Sequence, residues 1–153
     1  MKLLLSFVFA WVSSVNAEQV FWQPDKTWVF AVGVTDFDDP SVQSWTEEGR
    51  ADVRLVSALE KRGVAQKQIL FIKDEQATHA KIVKQFSPFL QRAGSEDTLI
   101  FYYAGHGLRD YSKPDRPCTF LTFDAGAEWT VDSIFSTVEK SFRGRQVIYT
   151  ADC

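Results

Sequence analysis

Two residues, each at the end of an apolar run, hold the chemistry of this sequence. His106 follows Thr98-Leu99-Ile100-Phe101-Tyr102-Tyr103-Ala104 and stands between Gly105 and Gly107; Cys153 follows Gln146-Val147-Ile148-Tyr149-Thr150 through Ala151-Asp152. A histidine hung off the end of a buried strand can take the proton of a thiol, and the thiolate left behind is a strong nucleophile. The flanking glycines let the backbone turn sharply and bring bare N–H groups close to a substrate carbonyl, where a side chain would block approach. These are the parts that hydrolysis through an acyl-enzyme needs: a thiolate to attack, a base that can later protonate the leaving amine, and amide donors for the oxyanion.

The two ends can meet only if the strands before them lie side by side. The run Thr27-Trp28-Val29-Phe30-Ala31-Val32-Gly33-Val34 reads as a first strand, buried on both faces. After a turn-rich acidic loop, Glu47 to Arg62 reads as a helix, with Val53, Val56 and Leu59, or Leu55, Ala58 and Leu59, at helical spacing and Gly63 closing it. Gln68-Ile69-Leu70-Phe71-Ile72 is the second strand. Thr78 caps a helix through Ile82, Val83, Phe86 and Leu90 to Gly94, with His79 solvent-facing in its first turn. Thr98 to Tyr103 is the third strand, and the alternation in Cys118-Thr119-Phe120-Leu121-Thr122-Phe123-Asp124 predicts a short hairpin strand that half-buries Cys118. Thr130 caps a last helix carrying Val131, Ile134, Phe135 and Val138, and Arg143-Gly144-Arg145 turns the chain into the fourth strand. Strands alternating with helices predict an α/β fold with a mostly parallel sheet, covered on both faces, whose functional residues gather at the carboxyl ends of the strands.

With 153 residues the chain has room for one domain. Met1-Lys2, the apolar run Leu3 to Val12 and Val15-Asn16-Ala17 read as the basic, apolar and cleavage regions of a signal peptide. The expected organisation is therefore a signal peptide over 1–17 and a domain over 18–153, exported to a periplasmic or extracellular space, with no membrane association after cleavage. A net charge of −3 gives no reason to expect nucleic acid. In an oxidising compartment Cys118 and Cys153 could bridge, which would silence the thiol. No Cys/His cluster has zinc-ligand spacing, no acidic loop has calcium-ligand spacing, and Gly105-His106-Gly107 lacks the spacing of a nucleotide loop, so no metal or cofactor is expected.

Taken together, these segments resemble the caspase-like cysteine peptidases (peptidase family C14), most closely their bacterial and metacaspase branch. The matching parts are the first strand ending Val32-Gly33-Val34, the helix around Asp52, the helix entry Asp74-Glu75-Gln76-Ala77-Thr78, Tyr103-Ala104-Gly105-His106-Gly107, Leu121-Thr122-Phe123-Asp124 and the terminal Asp152-Cys153. The resemblance implies a caspase-like three-layer fold whose C-terminal strands are missing from this sequence, which holds only the N-terminal part of the catalytic domain. It implies a cysteine endopeptidase acting on protein or peptide substrates, with His106 relaying the proton and the Gly107 N–H in the oxyanion hole. In that family the fourth strand ends in Asp, one small residue and then the reactive Cys. Either Cys153 is the nucleophile and the aspartate has moved one place, or Asp152 is the motif aspartate, Cys153 is the spacer and the nucleophile belongs at position 154. Asp52 and Asp152 match acidic residues of the family's primary pocket and imply a basic P1 preference, although Ala104 replaces a serine common there. Two other functions stay open: an inactive, truncated pseudo-protease or caspase-like module that binds protein partners through the same cleft, and a Cys/His hydrolase of other acyl substrates.

Overall fold

The computed structural model describes residues 22–45, 48–109, 112, 118–125 and 129–153, so the signal peptide expected over 1–17 lies outside the described residues. Among those described, no helix is long and apolar enough to cross a membrane. Four strands form one parallel sheet: β1 (Thr27–Gly33), β2 (Ile69–Lys73), β3 (Thr98–Ala104) and β7 (Gln146–Asp152), in the order β2-β1-β3-β7. The crossover direction reverses between β2 and β3, so β1 and β3 flank a switch point at the carboxyl edge. Short strands β4 (Gly107–Leu108), β5 (Thr119–Phe120) and β6 (Trp129–Thr130) form a separate antiparallel sheet. The predicted hairpin strand is thus two residues long and central to three strands; its remaining residues, Cys118 and 121–124, lie outside the strand.

Alternation along β1 and β3 sends side chains to two cores. Val29, Ala31, Ile100 and Tyr102 meet Val56 and Leu59 of α1 (Ala51–Lys61). Phe30, Val32, Phe101 and Tyr103 meet Ile82, Phe86, Phe89 and Leu90 of α2 (His79–Leu90) and Ile134 and Val138 of α3 (Val131–Ser141). The result is three layers, α1 over the sheet over α2 and α3, with aromatic pairs such as Phe30 on Phe86 (centroids 4.4 Å apart) filling the larger core. Thr78 and Thr130 cap α2 and α3 as predicted, accepting from the Lys81 and Ser133 amides. Three expectations shift. The first helix begins at Ala51, after Gly49 at φ +80 breaks the helical path; the start expected at Glu47 lies outside the described residues. Val53 and Val83 point outward beside the buried stripe, and Phe135, also partly exposed, packs edge-on against Tyr149 of β7 (centroids 4.5 Å) rather than in the core. His79 is half-buried rather than solvent-facing, its amide tied to Asp124 Oδ1 (3.1 Å). β7 lies at the open edge, leaving Ile148 and Tyr149 about two-fifths exposed (43% and 39%).

Candidate active site

The turn after β3 carries the imidazole. Gly105 has φ +154, and a Cβ there would meet Tyr103 Oη at 2.4 Å and the Val34 carbonyl oxygen at 3.0 Å, so the chain needs glycine to leave the strand here. The Tyr103 hydroxyl donates to the carbonyl oxygens of His106 (2.9 Å) and Leu121 (2.7 Å), and the Leu121 amide also donates to His106 (2.9 Å). Burial pushes that hydroxyl above the usual phenol range, so it stays a donor. With its backbone pinned, His106 places Nε2 at 2.8 Å from the Gln43 carbonyl oxygen. A carbonyl only accepts, so Nε2 carries the proton and Nδ1 keeps the lone pair of the neutral ring. The ring packs against Trp45 in a tilted contact (centroids 4.2 Å, planes 35° apart) and lies 5.4 Å from Phe37. That segment is held in turn by the Trp45 amide on the Thr35 carbonyl (2.8 Å) and the Ser44 hydroxyl on Asp36 Oδ1 (2.9 Å).

β7 delivers the thiol to the same edge. Its register sets Asp152 opposite Ala104, and the Gly105 amide donates to the Asp152 carbonyl (3.1 Å). Cys153 comes next and its Sγ lies 3.2 Å from where a Cβ on Gly107 would sit, so the sulfur rests on the open side of that glycine. Among the described residues no hydrogen bond joins the thiol to the imidazole. Cys153 is exposed, Cys118 is half-buried, and both thiols are free. The bridge that cysteine count allowed is not made: Cys118 leads into the antiparallel sheet, its carbonyl held by the Val131 amide (2.9 Å), while Cys153 ends the parallel one.

A charged knot closes the edge beyond β1. A Cβ on Gly33 would fall 1.8 Å from Asp52 Oδ2, so the glycine lets this carboxylate press against the strand. Asp52 is 1% exposed; Oδ1 accepts from Arg50 Nε (3.1 Å) and the Val53 amide (2.8 Å), and Oδ2 from Arg50 Nη2 (2.6 Å). Arg50 also donates to the Gly33 carbonyl (3.3 Å) and to Asp74, whose Oδ1 takes the Thr35 amide (3.0 Å). One guanidinium thus joins the ends of β1, β2 and α1. Hydrogen bonding to Asp52, with that to Asp74, holds Arg50 above its ordinary pKa despite burial. Burial works to raise Asp74, but the Arg50 hydrogen bond and the Thr35 amide outweigh it and hold this carboxyl below the usual range.

Between knot and thiol lies a cleft of about 420 Å³ lined by Trp45, Glu48, Arg50, Gly105, Asp152 and Cys153 among others. Asp52 and Asp152 both belong to the α1 face, because Gly33, Ala104 and Asp152 share one row of the sheet. They differ in availability. A buried carboxylate needs a partner, and Asp52 has Arg50 on both oxygens; Asp152 is exposed. Among the described residues no three of His, Cys, Asp and Glu cluster as a metal site would require.

No protein-family model and no curated protein matches the sequence. Thirty chains of known structure do. One, the crystal structure of protein GSU0716 from Geobacter sulfurreducens, superposes with a TM-score of 0.59 over 82% of this chain at 22% identity. The likeness is one of fold. This chain spans about half (50%) of that protein's length.

Sequence reading singled out His106, Gly107, Cys153, Asp52 and Asp152, and the fold brings all five to one edge of the sheet. It passed over Gln43, Trp45, Arg50 and Asp74. Arg50 two residues before Asp52 was the available signal, since an acid in the first turn of a helix that packs on a sheet calls for a cation once it is buried. Gln43 acts through its carbonyl, which every residue has, so its type says nothing.

Proposed function

We propose that this chain is a caspase-like cysteine-type endopeptidase, exported through its N-terminal segment, with Cys153 as nucleophile and His106 as base. The observation that carries the reading is the meeting of the β3 and β7 ends, which rests the Cys153 sulfur on Gly107 beside a histidine whose Nδ1 is kept free by the Gln43 carbonyl. Nδ1 takes the thiol proton; the thiolate attacks the scissile carbonyl carbon, and the Gly107 N–H donates to the oxyanion. The imidazolium then gives its proton to the departing amine as the C–N bond breaks, leaving a thioester that water cleaves with the imidazole again as base. Apo sites often show the thiol and imidazole apart, the hydrogen bond tightening when substrate binds. Asp152, which with Glu48 is an exposed acid of the cleft, supports a basic P1 side chain by direct ion pairing.

The test is a panel of fluorogenic peptides with Arg, Lys or Asp at P1, run on the wild type and on His106→Ala. Cleavage after Arg or Lys that disappears with His106 is the expected result; no cleavage of any peptide, or cleavage indifferent to His106, overturns the proposal. The absence of a thiol–imidazole hydrogen bond favours a second reading, a caspase-like module that binds peptides in this cleft without cleaving them. Such a module would bind basic peptides reversibly and release them intact.

A further inference from the structure

We infer that Trp45 is a positioning residue for His106, its indole face supporting the imidazole and favouring the imidazolium form. The inference rests on the dyad proposed above. Trp45 is 43% exposed, so burial alone is a weak reason for a tryptophan here, yet its ring lies closer to the His106 ring (4.2 Å) than Phe37 does to either (5.4 Å to His106, 6.3 Å to Trp45). An aromatic face attracts a cation within about 6 Å of its centre, most strongly when the ring is tryptophan. Phe37, 7% exposed, fixes the ring's position from the core side, whereas Trp45 stands on the cleft side and lines it together with Cys153. The Gln43 carbonyl accepts more strongly from the charged imidazole than from the neutral one, and the indole face adds to that preference from the cleft side, where its share is read by replacing Trp45 alone. The ionisable groups gathered here include Tyr103, whose hydroxyl binds the His106 backbone; Asp36, bound to the Phe37 amide and the Ser44 hydroxyl, with Asp38 and Asp39 further along the same loop; Glu48 and the Arg50 knot across the cleft; and Asp152 and Cys153 at the end of β7. Among the described residues none of them hydrogen-bonds the imidazole ring.

The chain has two histidines, so the ring protons of His106 are assigned against His79 in a His79→Gln control, and Cys153→Ala removes the coupled thiol titration. In that background Trp45→Leu is expected to lower the His106 titration midpoint, read by proton NMR, by roughly half a unit, and Trp45→Phe by less, with His79 unmoved. A role limited to packing would alter the His106 chemical shift without moving its midpoint. A midpoint unchanged in both Trp45 variants overturns the inference and leaves the dyad standing. The dyad is tested separately, with Trp45 intact, by the rate at which iodoacetamide alkylates Cys153 at neutral pH: a rate unaffected by His106→Ala refutes the dyad, whatever Trp45 does.

Discussion

Gly33→Ala tests whether the Arg50–Asp52 knot is packed as tightly as its geometry says. The added methyl would lie 1.8 Å from Asp52 Oδ2, 2.8 Å from Asp52 Cγ and 3.0 Å from Arg50 Nη2. None of these can be absorbed by the loose end of a surface side chain, because Asp52 is 1% exposed and bound at both oxygens. Overpacking of this kind costs about 1–3 kcal/mol, and parting a buried ion pair costs about 3–5 kcal/mol. A loss of roughly 3–5 kcal/mol is expected, against a total of about 5–15 kcal/mol for a domain. At about 2–4 °C per kcal/mol for a chain of this size, thermal unfolding should fall by roughly 10 °C. The control is Gly94→Ala, whose Cβ would make an ordinary 3.7 Å contact with Asp97 Oδ2 and should stay within about 0.5 kcal/mol of the wild type. Urea denaturation of the three proteins decides the matter: Gly33→Ala as stable as Gly94→Ala would refute the tight packing of Asp52 on β1.

Asp74 has a carboxyl pKa below the ordinary 3.8, so it stabilises the fold above about pH 4 and that contribution fades as the pH falls through its lower folded value; Asp74→Asn should flatten the acid side of a stability-against-pH curve. Tyr103→Phe leaves the His106 and Leu121 carbonyls without the phenol, with an expected cost of about 1–3 kcal/mol and faster amide exchange at Gly105 and Leu121. Thr130→Ala removes the cap on the Ser133 amide (3.1 Å) and should cost about 1 kcal/mol by denaturation while leaving His106-dependent reactivity unchanged.

The layers were legible because burial writes itself into the sequence. The unbroken apolar runs of β1 and β3 and the 3.6-residue spacing of Ile82, Phe86 and Leu90 each admit one placement. The glycines around His106 were legible for the same physical reason that they are needed. What escaped was anything set by contact between distant segments. The start of the first helix cannot be placed at Ala51 until Gly49 is seen at φ +80. The two-residue length of β5 follows from its pairing with β4 and β6 rather than from its alternation. Asp52 read as a free pocket acid because its spacing from Arg50 does not reveal that the guanidinium folds back across Gly33 to reach both carboxylate oxygens.

The central claim is that Cys153 is activated by His106, and the protein carries its own internal control in Cys118, a second free thiol. The most direct measurement is to treat the intact chain with a peptidyl acyloxymethyl ketone bearing lysine at P1 and to map the adduct by peptide mass. Modification of Cys153 and not Cys118, abolished by His106→Ala, is the predicted result. Equal modification of the two cysteines, or modification of Cys153 that survives the loss of His106, would contradict the account.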